Sequence, residues 1–259
     1  SFYSIIFLLV AILVGSIYIY DQRATIKQII TTTQKQKTEE KTEKTKEKVS
    51  TEEQPLKESV MLDVKLIEQL PELPRGCEVT SLAMLLDYNG VTVNKMDLAK
   101  QIKHDPAPYK KIGNTIHFGN PHNGFVGDMY SFDTPGLGVY HGPIKDLAKQ
   151  YVGDRVYDFS GSDFKEILYQ LNQNRPVWVI INGAYKELPE DAFETWHTKD
   201  GPINITMREH SVLIIGYDQE YVYFNDPLNR HMKAPIKDFE KAWIQMGKQA
   251  ITILSPRRS

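Results

Sequence analysis

Cys77 is the only cysteine in the chain. It stands in Leu73-Pro74-Arg75-Gly76-Cys77-Glu78-Val79-Thr80-Ser81. Pro74 and Gly76 break regular structure just before it, and Val79, Leu82, Ala83 and Leu86 then follow the i, i+3, i+4, i+7 spacing of an amphipathic helix. Asn89-Gly90 supplies a stop. Cys77 is therefore predicted in the first turn of a helix. There the positive end of the helix dipole favours thiolate and lowers the thiol pKa, which is how a cysteine nucleophile is prepared. A free cysteine is also a common small buried residue. This stretch alone leaves both readings open.

A thiolate nucleophile needs an imidazole beside it, and the imidazole needs an acceptor that fixes its tautomer and orientation. Residues 210–217, His-Ser-Val-Leu-Ile-Ile-Gly-Tyr, read as a buried strand that begins with a histidine. Asp218-Gln219-Glu220 reads as a turn, and residues 221–227, Tyr-Val-Tyr-Phe-Asn-Asp-Pro, as the returning strand. A hairpin centred near Gln219 puts position 210 opposite roughly 226 to 228, and opposed or diagonal neighbours lie about 4.5–8 Å apart. His210 is thus brought to a side-chain acceptor just before Pro227. Register alone leaves Asn225 competing with Asp226 for that role. The order is Cys, His, Asp.

The elements that must position these groups lie between residues 60 and 254. Residues 60–64 read as a short strand and 91–103 as a helix capped by Asn94, with Asp97 in a capping-box-like position. Residues 104–142, rich in Gly, Pro, Asn and His, read as a long irregular stretch of the kind that lines a functional site. Its His104, His117, His122 and His141 are expected to be surface histidines. Residues 143–151 and 162–173 read as helices, the second capped by Ser162, with a strand at 155–159 between them. Residues 176–181, Pro-Val-Trp-Val-Ile-Ile, form an uninterrupted apolar run expected as a buried central strand. A second loop, 182–209, carries Trp196 and His197.

The 259 residues suffice for a substantial core, and a net charge of -2 offers no basic field for nucleic acid. One cysteine excludes an internal disulfide framework and a multi-cysteine zinc site. None of the seven histidines pairs as His-x-x-x-His, so no metal is expected. Residues 2–20 are an almost uncharged apolar run of the length that crosses a bilayer as a helix, with tyrosines at its end and charge from Asp21 onward. We expect an N-terminal membrane anchor or signal segment over 1–22. A charged, solvated linker follows over 23–58, where apolar residues are too few to offset ordering entropy. The folded domain is expected over 59–259.

Gln69, residues 73–82, His210-Ser211-Val212 through Gly216-Tyr217, and Asn225-Asp226-Pro227 resemble the C39-like family of papain-like cysteine peptidases. Residues 124–128 and Gly138-Val139-Tyr140 resemble it too. The resemblance implies an α+β, papain-like fold, with the nucleophile helix packed on an antiparallel β-sheet. It implies Cys77 as nucleophile, His210 as general base and acid, Asp226 as orienting residue, and Gln69 as an oxyanion donor with the Cys77 N–H. No cofactor is implied. Gln69 stands further from the cysteine than the corresponding glutamine of the family's founding members. The chain also lacks the Gly-x-x-x-x-Gly-Lys-Ser/Thr loop of members fused to transporters, so cleavage of double-glycine leaders is not carried over.

The expected function is a bacterial cysteine hydrolase outside the cytoplasm, membrane-anchored or secreted, that cleaves peptide or other amide bonds through a thioester. Its expected partners are a peptide or peptidoglycan-like substrate and the membrane. The alternatives are a cell-wall peptidase or transpeptidase and a catalytically silent tethered binding module.

Overall fold

The structure is a computed structural model, and the residues described are 55–255. The predicted anchor at 1–22 and nearly all of the predicted linker lie outside them. Among the described residues no helix is long and apolar enough to cross a membrane.

The fold is built on one antiparallel sheet. Its middle is β7 (Val177–Asn182), buried at every position as its β-branched and aromatic sequence demands. On one side β7 pairs with β10 (Glu209–Tyr217), setting Glu209 against Asn182 and Ile214 against Val177. On the other it pairs with β13 (Ala250–Ile253), which carries β6 (Val156–Asp158) at the edge. Beyond β10 come β11 (Tyr221–Asn225) and β12 (Lys233–Pro235), while β1 (Val60–Met61) takes up the far end of β10.

Helix α1 (Cys77–Tyr88) packs on β10 and β7. Its residues from Cys77 to Leu86 are all buried, so it is a central helix rather than the one-sided amphipathic helix that spacing predicts. Ser81 Oγ donates to the Ser211 carbonyl at 3.2 Å, and Trp178 Nε1 donates to the Glu78 carbonyl at 3.0 Å. These bonds fix the start of α1 over β10 and β7. Helix α2 (Lys95–Gln101) and α3 (His141–Val152) pack on α1. Helix α4 (Phe164–Asn172) and α5 (Ile236–Gln245) cover β7 and meet through Phe164 and Trp243.

Several boundaries differ from expectation. The first strand stops at Met61. Helix α2 is shorter than 91–103, although Asn94 Oδ1 does accept the Met96 N–H at 2.8 Å as a cap should. The residue preceding α4 is Asp163, not Ser162. Neither long loop is structureless. Residues 104–142 hold β2 (His104–Asp105), β3 (Lys110–Ile112), β4 (Thr115–His117) and β5 (Phe125–Val126). The expected loop 182–209 holds β8 (Glu194–Thr198) and β9 (Gly201–Ile205). Strands β3, β4, β8 and β9 form a second sheet in that order. It is held by a small separate core of Phe118, Val126, Leu137, Trp196 and Ile205. The pairing of β4 with β8 is parallel and bridges distant sequence, which local patterning cannot reveal.

Candidate active site

Cys77 is the first residue of α1, and Gly76 is its cap. Gly76 lies so close to Leu73 that a Cβ there would stand 2.5 Å from the Leu73 Cβ, so the turn before the cysteine requires glycine. Cys77 itself is 7% exposed. Its Sγ donates to Glu78 Oε2 at 3.3 Å. Burial pushes the Cys77 thiol well up, the nearby Glu78 and Glu209 carboxylates push it further, and the Ser211 backbone N–H opposes them. This corrects the expectation of a lowered thiol pKa. The helix dipole is present, but desolvation and two acidic neighbours outweigh it.

His210 Nε2 and Asp226 Oδ1 are 2.7 Å apart, both side chains almost wholly buried. The contact forms just past the ladder: β10 and β11 pair from Leu213 with Asn225, and Asp226 is the next residue along. Asn225 is spoken for, since its Nδ2 donates to the Val64 carbonyl at 2.9 Å. Asp226 also accepts the Leu228 N–H at 2.8 Å and the Tyr185 hydroxyl at 2.9 Å. Burial alone would raise the Asp226 carboxyl, but the hydrogen bond and charge of His210, with the other two donors, hold it well below the ordinary carboxylate range. An ionised Asp226 makes Nε2 the donating nitrogen of His210.

Cys77 and His210 line one cleft of about 570 Å³, together with Gln69, Arg75, Glu209 and Arg230. Part of its wall comes from the 104–142 region, through Phe132, Gly136 and Leu137. Arg75 holds that wall: its Nη1 donates to the Asp128 carbonyl at 3.1 Å and to the Ser131 carbonyl, and its guanidinium lies 4.8 Å from the Phe132 ring centre. The four histidines of that region are not among the cleft residues. His141 instead pairs with Asp158 at 2.8 Å.

A buried cysteine opening a helix and a carboxylate-bound histidine on the adjoining strand thus share one cleft. The sequence profile of the Peptidase_C39 like family matches residues 61–251, which span every one of these groups. The chain belongs to that family. Among its relatives is the uncharacterized protein YvpB of Bacillus subtilis strain 168, 48% identical over 195 residues, which cover 74% of this chain and 75% of YvpB. A crystal structure of a candidate C39-like peptidase from Bacillus anthracis superposes with a TM-score of 0.72 at 46% identity. That match covers 78% of this chain and the whole of the Bacillus anthracis chain.

Within this Peptidase_C39 like domain, Gln69 also lines the cleft. Its Nε2 donates to the Leu73 carbonyl at 2.9 Å and the Pro74 carbonyl at 3.0 Å, so both amide hydrogens brace the turn ahead of Cys77. Its Oε1 is buried without a partner. The residues between Gln69 and Cys77 form that turn.

Three site residues escaped the sequence reading. Tyr185 has a positive φ of 53°, uncommon for an aromatic residue, and its ring stacks on Phe224 with centroids 4.7 Å apart while its hydroxyl holds Asp226. Glu78 is wholly buried; its Oε1 accepts the Val139 N–H at 2.6 Å, and its carboxyl is pushed up to about 7 by burial. Glu209 is pushed well above its ordinary value by burial and by Glu78, and its Oε1 has no partner. Adjacency was the available signal: Glu78 follows Cys77, and Glu209 precedes His210. The Cys77 sulfur and one oxygen from each of the two carboxyls lie within 4.8 Å of one another, close enough to meet one cation. Burial there favours protonated carboxyls, and a protonated carboxyl is a poor ligand.

Proposed function

We propose that this protein is a cysteine hydrolase of peptide or related amide bonds, with Cys77 as nucleophile, His210 as general base and acid, and Asp226 as the residue that orients His210. What supports the reading is the buried 2.7 Å contact between His210 and Asp226 at the edge of the cleft that Cys77 also lines. His210 Nδ1 takes the thiol proton as sulfur attacks the carbonyl carbon, and the same proton passes to the departing amine. Water then hydrolyses the thioester, with His210 again accepting a proton. The Cys77 N–H, at the first position of α1, serves as donor to the oxyanion in this reading. The apolar run at 2–20 favours action outside the cytoplasm, at the membrane or after secretion.

The raised thiol and the engaged Gln69 amide favour a second reading, a binding module on the same fold. One experiment decides between them. The full-length chain and Cys77→Ala are compared for labelling by a cysteine-directed electrophile, for turnover of a mixed peptide library, and for digestion of purified peptidoglycan. We expect labelling and turnover in the wild type alone. Peptide binding that persists in Cys77→Ala, with no turnover by either protein, overturns the hydrolase reading.

A further inference from the structure

The two acidic residues beside the sulfur have no place in the mechanism above, yet each brings an oxygen within 4.8 Å of it. Taking Cys77 as the nucleophile, we propose that Glu78 and Glu209 hold one proton between them and thereby set the pH at which the Cys77 thiol becomes reactive.

The geometry brings the two carboxyls together across Gly138. A Cβ at Gly138 would lie 2.1 Å from Glu78 Oε1 and 2.7 Å from Glu209 Oε2, so both oxygens press on the same bare stretch of backbone. Donors are scarce. Glu78 Oε1 has the Val139 N–H, Glu78 Oε2 has the Cys77 thiol, and Glu209 Oε1 has no partner. Among the described residues neither carboxyl has an ion-pair partner. The Arg75, Arg208 and Arg230 side chains belong to the same cleft, but Arg75 is spent on the Asp128 and Ser131 carbonyls and Arg230 lies 3.9 Å from Asp226. Arg208 is exposed.

The other groups facing the pair do not supply a charge either. Tyr140 is buried, and its hydroxyl is held well up by burial and by the two carboxyls. Trp178 spends its indole N–H on the Glu78 carbonyl. His210, adjacent to Glu209 in sequence, is spent on Asp226 through Nε2. Two carboxyls within 4.8 Å of each other and of the sulfur, one of them wholly buried, cannot both ionise cheaply.

The consequence falls on the sulfur. While the pair holds its proton, a forming thiolate faces one negative charge at most. Once that proton leaves, a second charge stands beside it. Rising pH, which ordinarily promotes thiolate, is therefore opposed here by its own effect on the carboxyls. Glu78 and Glu209 are positioning residues, acting on the reaction only through Cys77.

The test follows the alkylation of Cys77, the chain's sole cysteine, by iodoacetamide across pH 5 to 10 in EDTA, read by mass spectrometry on the full-length protein. Glu78→Gln and Glu209→Gln keep the shape and remove the charge. Each is expected to lower the midpoint of alkylation by about one pH unit, a tenfold faster reaction near neutrality. The double variant should add little, because either single change already dissolves the pair. Melting curves identify any variant that fails to fold, and the other single variant then decides. Unchanged midpoints in a folded variant overturn the proposal, as does a wild-type midpoint that moves when EDTA is omitted, since a cation would then occupy the place of the proton. No substrate is involved: a shifted midpoint with no peptide turnover supports the pair and sinks the hydrolase, whereas turnover with no shift does the reverse.

Discussion

Asp226 and Glu78 are buried carboxyl groups of the same cleft region, and their environments shift them in opposite directions. Asp226 gathers the His210 ring, the Leu228 N–H and the Tyr185 hydroxyl around its two oxygens, and it is held well below the ordinary range. Glu78 has its own and the Val139 backbone N–H and a thiol, with a second carboxyl for a neighbour, and burial pushes it up to about 7. Depth does not separate them. The kind of partner does: Asp226 has the hydrogen bond and charge of His210, whereas Glu78 faces a thiol and a second carboxyl. One side of the site is built to keep a charge and orient an imidazole. The other is built to keep charge off the sulfur until a base removes its proton.

That contrast can be broken in graded steps. The largest effect belongs to Cys77→Ala, which removes the reacting atom; turnover should fall at least about a thousandfold, measured as kcat on whichever library peptide the wild type cleaves. Next comes Asp226→Ala, which strips the charged side of its centre. It leaves the buried His210 without its acceptor, so kcat should drop by about two to four orders of magnitude, with stability to urea reduced by about 2–4 kcal/mol.

Glu78→Gln probes the opposite side and should stabilise. The folded-state value of Glu78, about 7, lies above its ordinary 4.5, so the folded protein binds that proton more tightly than the unfolded chain. Its contribution is complete below about pH 4.5 and is lost as pH rises through 7. The wild type should therefore weaken between pH 5 and 8, by up to about 3 kcal/mol, while Glu78→Gln shows a flatter profile in urea titrations at each pH. A wild-type profile as flat as the variant's would mean that Glu78 is charged, and that the two sides do not differ as described. The smallest effect is that of Tyr185→Phe. It removes one of several donors to Asp226 and should cost about 1 kcal/mol of stability and a few-fold in kcat, with KM little changed.

Much of the charged side was legible because its logic is local. The hairpin from His210 to Asp226 is announced by alternating apolar runs, a polar turn and a terminal proline, and the structure departs from that reading mainly in the bulge between Ile214 and Gly216. Choosing Asp226 over Asn225 required the third dimension, since the bond that occupies Asn225 goes to Val64 at the far end of the domain. The uncharged side was not legible for the same reason. Glu78 reads as an ordinary acidic residue in the first turn of a helix, where the dipole welcomes it. Only the approach of Glu209 from β10 and of Gly138 from the loop before α3 turns it into a buried partner of the sulfur. Tyr185 was hidden in a stretch without periodicity. The second sheet stayed hidden because β4 and β8 meet in parallel across a long separation.

The bond between Ser81 and the Ser211 carbonyl spans 130 positions of sequence, and this distance bears on the making of the protein. Cys77 is synthesised early and His210 late, while Asp226 comes later still. A chain halted anywhere before β10 carries the cysteine but neither imidazole nor acceptor, and β7 has lost a strand against which to close. The proposed site is thus complete only in the finished polypeptide, because its parts emerge in the order Cys77, His210, Asp226.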